Sequence, residues 1–101
     1  MAVTRTFSAD EKDLTIAISG RFDFAAHQEF RDAYERVEHT PTRYTVDLKN
    51  ATYLDSSALG MLLLLRDHAG GDHARIAIIN SSSDVQKILA ISNFNKLFDI
   101  S

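Results

Sequence analysis

Residues 44–65, YTVDLKNATYLDSSALGMLLLL, decide the fold because their hydrophobic period changes partway along. From Tyr44 to Leu48, apolar residues alternate with polar ones, which is the two-residue period of a β-strand. A short polar connection begins at Asn50, and from Ala58 onward the apolar residues follow a helical period. The stretch therefore predicts a strand that ends before Asn50, a loop, and then a helix.

Asp55, Ser56 and Ser57 lie where the helix is predicted to begin. Aspartate and serine are favoured there because their side-chain oxygens accept hydrogen bonds from the free backbone N–H groups at a helix start. Two interpretations are open at this point. Either one serine caps the helix while the aspartate complements the helix dipole, or one serine is a phosphorylation site at the positive end of that dipole.

The remaining patterns predict strands that alternate with helices. Weak alternation over residues 3–7 and stronger alternation over residues 14–18 predict an N-terminal hairpin, in which the second strand ends at residues 19–21. Asp23 is the predicted N-cap of a helix whose apolar residues recur at Phe30, Ala33, Tyr34 and Val37, and Pro41 is predicted to stop that helix.

The C-terminal third predicts one more strand and one more helix. Residues 74–80, ARIAIIN, are apolar enough for a strand that is buried on both faces. Ser83 and Gln86 have the capping-box spacing for a following helix, and residues 94–98 predict a last helical turn or short strand. The expected fold is a single α/β domain over residues 1–101, with a mixed sheet, parallel central strands and an N-terminal hairpin.

Composition excludes several classes of function. The chain has no cysteine, so a disulfide framework and thiolate chemistry are excluded. Its net charge is −3 and its 11 Lys and Arg residues are scattered, which argues against a nucleic-acid partner. The N-terminus is charged where a signal peptide is apolar, and the longest apolar run is too short to span a bilayer. We therefore expect a cytoplasmic protein without direct membrane insertion.

Enzyme chemistry has little support in the sequence. Asp67-His68 and Asp72-His73 could offer metal ligands, but a solvated helix end is the simpler interpretation, and Gly70-Gly71 lacks the residues of a phosphate-binding loop. We expect no catalytic residue, no metal and no cofactor. The alternative in this class is a small nucleotide- or metal-dependent hydrolase that uses Asp23, Asp55 and Ser56.

The central helix carries more apolar residues than one face can bury. One face is formed by Ala58, Met61, Leu62, Leu65 and Ala69. The opposite face carries Gly60, Leu63 and Leu64. Either these leucines stay partly exposed and form an apolar patch that adjoins Ser56, or a neighbouring element covers them.

The order of these elements and motifs resembles the STAS domains of bacterial anti-sigma factor antagonists, over nearly the whole chain. In that family the serine directly after the aspartate is phosphorylated, which implies Ser56 here, and Asp23 matches an aspartate used in partner recognition. One departure is Ala58, where the family usually has glycine. The residues that carry the resemblance are Gly20-Arg21-Phe22-Asp23, Val46-Asp47-Leu48, Asp55-Ser56-Ser57-Ala58-Leu59-Gly60 and residues 85–98.

The resemblance implies a non-enzymatic switch. Unphosphorylated, the domain is expected to bind an anti-sigma factor, which is often itself the serine kinase; phosphorylated on Ser56, it is expected to let go until a serine phosphatase resets it. Expected partner-binding residues are Asp23, Asp55, Ser56, Ser57, Gly60, Leu63 and Leu64. STAS domains also occur as subunits or regulators of membrane transporters, which is the alternative binding role. The identities of the sigma factor and of the two enzymes are not encoded in these motifs.

Overall fold

The computed structural model describes residues 2–101 as one five-stranded mixed sheet covered by helices. The strands lie in chain order in the sheet; the first two pair antiparallel as a hairpin and all later pairs are parallel. The predicted α/β fold with a mixed sheet, parallel central strands and an N-terminal hairpin is therefore confirmed. The strands are β1 (Ala2–Phe7), β2 (Asp13–Phe22), β3 (Arg43–Leu54), β4 (Ile76–Ile79) and β5 (Asp99–Ile100).

Three α-helices connect the parallel strands: α1 (His27–Glu35), α2 (Ser56–His68) and α3 (Ser83–Ile91). Because crossovers between parallel neighbours are right-handed and every step goes to the next strand along the sheet, the helices lie on the same sheet face. The burial pattern agrees, since alternate strand residues are buried under the helices and the residues between them are half-buried or exposed. The core includes Leu14, Ile16, Ile18, Val46, Leu48 and Ile78.

Both central strands are longer than predicted. β2 continues to Phe22 and β3 runs without a break to Leu54, so the predicted loop at Asn50 is wrong. The two strands pair as far as Phe22 and Leu54. The pairing shifts register along the way, and one shift lies next to Gly20, whose φ is 85°. These shifts let the strands stay paired where the apolar and polar residues no longer alternate. Pairing with β2 keeps the polar residues after Leu48 in the sheet. The hydrophobic pattern of β3 alone does not show this pairing.

The helix predicted after Asp23 begins later and ends earlier. Asp23 caps a short 3₁₀ turn, Phe24–Ala26, and α1 starts only at His27. The helix ends at Glu35, well before Pro41, and Val37 packs on the core from outside the helix. Arg5 of β1 caps this end of the helix, because its Nη1 donates to the carbonyls of Ala33 and Arg36.

The C-terminal third differs in two details. Ser82, not Ser83, caps α3 by accepting from the Val85 N–H at 3.2 Å. The predicted capping box of Ser83 and Gln86 is therefore wrong, since the residue three positions after the cap is Val85. β4 is buried on its helix side and only half-buried on the other, because that side of the sheet carries no helix; burial on both faces was wrong. The tail forms both a 3₁₀ turn, Phe94–Lys96, and then β5.

Candidate functional site

Asp55 is the N-cap of α2. Its Oδ1 accepts hydrogen bonds from the backbone N–H groups of Ser57 and Ala58, at 3.0 and 3.1 Å, and from the Ser57 hydroxyl at 2.6 Å. The predicted helix start is therefore confirmed, and Asp55 holds the capping position, so the interpretation in which a serine caps the helix is wrong. A carboxylate serves better here because it brings a negative charge to the positive end of the helix.

The charge of Asp55 is stabilised by these contacts. The hydrogen bond from the Ser57 hydroxyl lowers the pKa of Asp55 most, and the two backbone N–H donors and the positive charge of Arg21 lower it further. The carboxylate is thus fully ionised near neutral pH. The loop that presents Ser56 carries a fixed negative charge directly beside the hydroxyl.

Ser56 is the first residue of α2 and its side chain is exposed. None of the hydrogen bonds found within residues 2–101 involves its hydroxyl, whereas the hydroxyl of Ser57 is engaged by Asp55 in a half-buried position. The two serines are therefore different in kind. Ser57 supports the cap, and Ser56 offers a hydroxyl that another protein can reach.

The C-terminal end of β2 lies beside this loop. The parallel pairing aligns Arg21 with Tyr53 and Phe22 with Leu54, so the chain leaves both strands at the same edge of the sheet. Asp23 accepts from the Ala25 N–H at 3.1 Å through Oδ1 and from the Arg21 Nε at 3.2 Å through Oδ2. The pairing thus brings the predicted site residue Asp23 to the sheet edge at which the Ser56 loop begins.

The exposed face of α2 continues from Ser56 as a row of residues that we call the outer stripe: Ser56, Gly60, Leu63 and Leu64. Helical neighbours three and four residues apart share a face, and all four of these residues are exposed. Leu63 is 40% and Leu64 50% exposed, so of the two alternatives left open by the sequence the structure shows partial exposure. The stripe extends about 12 Å along the helix axis. Its role in partner binding stays a prediction.

The same edge carries residues that sequence reasoning missed. The guanidinium of Arg21 lies 3.9 Å from the centroid of the Tyr53 ring, and Phe24, next to Asp23, is 71% exposed. The contact between Arg21 and Tyr53 depends on the register of β2 and β3. The sequence could not predict it, because the predicted loop at Asn50 placed Tyr53 outside the sheet. An exposed Phe24 had a sequence signal, since the predicted helix pattern left it off the buried face.

The other chemical candidates lie apart from this edge. Asp72 pairs with Arg66 at 2.9 Å, His68 packs against the Tyr34 ring, and residues 2–101 contain no cluster of three metal-ligating side chains. A groove of about 690 Å³ opens at the opposite end of the sheet, near Arg43 and Arg75. Across the part of the chain that the structure covers, no helix has both the length and the apolar character to cross a bilayer.

Ala58, the residue that departs from the resemblance, is completely buried. Its backbone N–H donates to Asp55 and its methyl group belongs to the core. The methyl therefore does not project into the surface around Ser56, and the departure leaves the exposed surface of the loop unchanged.

Similar proteins share this fold. The family model described as the Mlab, STAS domain matches residues 6–99. A STAS-domain containing protein of Pseudomonas aeruginosa (strain UCBPP-PA14) is 71% identical over 101 residues, which are 100% of this chain and 100% of that protein.

Solved structures agree with this assignment. The anti-sigma factor antagonist SpoIIAA in its unphosphorylated form has a TM-score of 0.76 at 17% identity, covering 99% of this chain and 87% of that chain. The phosphorylated form of SpoIIAA, from Bacillus, gives 0.74 at 17% identity, with coverages of 99% and 91%. A sulfate transporter family protein from Wolinella succinogenes gives 0.75 at 12% identity, with coverages of 93% and 80%. Identities this low show a shared fold. Together with the family match and the 71% identical relative, they establish that the chain belongs to the STAS domain family.

Proposed function

We propose that this protein is an anti-sigma factor antagonist that is switched by phosphorylation of Ser56. Unphosphorylated, it binds an anti-sigma factor and thereby frees a sigma factor; phosphorylated, it releases the anti-sigma factor. It acts as a binding module without catalytic residues, in the cytoplasm, where its kinase finds ATP. One observation carries the proposal: the hydroxyl of Ser56 is exposed, has no hydrogen bond within residues 2–101, and lies between the charged cap Asp55 and the rest of the outer stripe.

The helix start suits a phosphorylation reaction because modification leaves the cap intact. A serine kinase transfers the terminal phosphoryl group of ATP to Oγ of Ser56, the hydroxyl loses its proton, and ADP leaves. Asp55 keeps its hydrogen bonds to Ser57 and Ala58 throughout, since none of them uses Ser56. The fold therefore tolerates the modification, and a serine phosphatase can reverse it by hydrolysis.

The surface beside Ser56 suits a protein partner. The outer stripe offers the apolar side chains of Leu63 and Leu64, and Gly60 between them and Ser56 lets a partner approach the helix backbone closely. Asp23 and Asp55 add negative charge at one end of the stripe. A complementary partner has an apolar face that packs on the stripe and covers the Ser56 hydroxyl.

Phosphorylation changes the surface at the centre of this interface. A phosphate adds a charge of about −2 and three acceptor oxygens, next to two carboxylates and one helical turn from Gly60. Desolvating that charge costs more than the apolar contacts can offset, so the complex dissociates. The similarity of the fold to SpoIIAA in both its unphosphorylated and phosphorylated forms supports a switch of this kind.

The first test is the mass of the protein purified from its own source, with and without phosphatase treatment. A phosphatase-sensitive gain of one phosphate, mapped to Ser56, is expected. The gain should persist in Ser57→Ala and vanish in Ser56→Ala, because only the first variant keeps the exposed hydroxyl. A Ser56 that stays unmodified under all growth conditions would contradict the proposal.

The second test measures partner binding with Ser56→Ala, Ser56→Asp and a matched control. Ser83→Asp places the same charge at the exposed first residue of another helix, α3. Immobilised Ser56→Ala should retain an anti-sigma factor from a lysate, and calorimetry with the purified pair should show weaker binding for Ser56→Asp and unchanged binding for Ser83→Asp. Equal binding by all forms rules out the switch, and recovery of a transporter ATPase subunit instead would favour the transporter role.

A further inference from the structure

Three backbone donors near the start of α2 are already in use, so a phosphate on Ser56 gains more from a further partner than from the backbone. The N–H groups of Ser57 and Ala58 donate to the Asp55 side chain, and that of Leu59 donates to the Asp55 carbonyl at 3.2 Å. A phosphate on Ser56 therefore finds few free backbone donors. The helix dipole alone contributes modestly at an exposed site.

Charge makes the need for a partner stronger. Asp23, Asp55 and Arg21 together carry a charge of −1 at this edge of the sheet, and a doubly ionised phosphate brings the sum to about −3. Two carboxylates beside a phosphate repel it, since like charges at short range disfavour ionisation. A cation that faces the phosphate would offset this repulsion.

Arg21 is the cation that the fold places there. Arg21 pairs across the strands with Tyr53, which lies two residues before Asp55. The pKa of Asp55 is lowered mainly by the Ser57 hydroxyl and in smaller part by the positive charge of Arg21. Within residues 2–101 only its Nε is found in a hydrogen bond, to Asp23 at 3.2 Å. The two terminal nitrogens of the guanidinium therefore remain to pair with a further anion.

The guanidinium is also held in position before any phosphate arrives. It stacks on the Tyr53 ring at 3.9 Å from the centroid, which limits the conformations of a long side chain. A single hydrogen bond to Asp23 is weaker than the paired hydrogen bonds that a guanidinium makes with a phosphate. A phosphate within reach is thus the preferred partner.

We infer that Arg21 is the receptor for the phosphate of phosphorylated Ser56: the guanidinium stays on Tyr53, gives up Asp23 and pairs with the phosphate. This inference rests on the proposed function. Asp23 keeps its other hydrogen bond, to the Ala25 N–H, and its carboxylate is exposed once Arg21 has left. Phosphorylation then changes two parts of the partner surface, the charge on Ser56 and the unmasked carboxylate of Asp23.

The test uses protein in which phosphoserine is inserted at position 56 during synthesis, so neither kinase nor partner is required. Phosphorus NMR follows the second ionisation of the phosphate, whose pKa is ordinarily about 6. Arg21→Gln should raise this pKa by about 0.5 relative to the wild-type background, which corresponds to loss of one exposed ion pair. Arg75→Gln removes an equally exposed charge at the opposite end of the sheet and should leave the pKa unchanged.

Arg21→Lys keeps the charge but loses the stacked, two-pronged geometry, and it should raise the pKa by a smaller amount. This variant also decides the question should Arg21→Gln fail to fold. The same phosphate pKa in the wild type and in every folded Arg21 variant would overturn the inference.

The two proposals fail separately. If Arg21 does not affect the phosphate but modified Ser56 still releases the partner, the receptor role is wrong and the switch stands. If Ser56 is never modified in its own source, the switch is wrong whatever the phosphate pKa of the synthetic phosphoserine protein shows.

Discussion

Replacing Gly60 with alanine should make the protein more stable while weakening its binding to the partner. Gly60 is the fifth residue of α2, it is exposed, and a Cβ added there would meet no atom within 4 Å. The methyl group therefore causes no clash and gains no packing, so the change reports helix propensity alone. Glycine in a helix interior is about 1 kcal/mol less favourable than alanine, because it loses more backbone freedom on folding.

Thermal and urea unfolding measure this effect. A stabilisation of about 1 kcal/mol should raise Tm by about 5 °C in a domain of this size, and the urea midpoint should rise with an unchanged slope. Gly70→Ala and Gly71→Ala are the matched controls. Their φ angles are 117° and 62°, which alanine adopts with strain, so both variants should lose stability.

The binding measurement distinguishes a docking surface from an ordinary helix face. If a partner packs against the backbone at Gly60, the added methyl should weaken binding about tenfold although the free protein is more stable. Stability that falls in Gly60→Ala would refute the propensity argument. Unchanged affinity would refute close approach of the partner at this residue.

Three further outcomes are expected. Leu63→Ser and Leu64→Ser should each lower stability by only about 1 kcal/mol, because the side chains are 40% and 50% exposed, but should weaken partner binding measured by calorimetry. Ile91→Ser, at an 83% exposed residue of α3, is the control that should leave binding unchanged. Unchanged binding in both leucine variants would remove the apolar patch from the interface. Because the pKa of Asp55 lies below its ordinary 3.8, its ionised form stabilises the fold above that pH, and the contribution fades as pH falls through the lowered value. The stability difference between wild type and Asp55→Asn should therefore shrink in thermal unfolding between about pH 7 and about pH 2, and a constant difference would contradict this account. The buried Tyr44 hydroxyl has no hydrogen-bond partner within residues 2–101, so Tyr44→Phe should hold or gain stability by about 1 kcal/mol, whereas a clear loss in urea unfolding would reveal a partner. Burial raises the pKa of Tyr44, so the wild type should also lose more stability than this variant above about pH 10.

The candidate site shows what a sequence pattern can and cannot predict. Ser56 and Asp55 were identified because a strand period gives way to a helix period beside favoured N-cap residues, and that signal is local. The sequence did not show which residue caps the helix, since aspartate and both serines suit the position. Only the hydrogen bonds of the structure identify Asp55 as the cap. Counting apolar residues showed that one helix face cannot bury both Leu63 and Leu64, but only the structure decided that they stay partly exposed and are not covered by another element.

Element ends were less predictable than element types. Arg5, which is distant in the sequence, caps the end of α1 by binding its last carbonyls, and pairing with β2 carries β3 through the polar residues after Leu48. Neither the contact of Arg5 with α1 nor the pairing of β3 with β2 can be predicted from the hydrophobic period of the segment concerned. The absence of helices from one sheet face likewise made β4 half-buried where an apolar run had suggested two buried faces.

By itself the sequence determined which segments are strands and helices, the order in which they alternate, and that two serines lie at the start of α2. These properties depend on side chains within a few residues of each other, which share a helical turn or a strand face. Only the tertiary structure decided that Arg21 lies on Tyr53 beside Asp23 and the Ser56 loop. The register of two parallel strands, separated by a whole helix in the chain, sets that arrangement, and register is a property of the packed sheet.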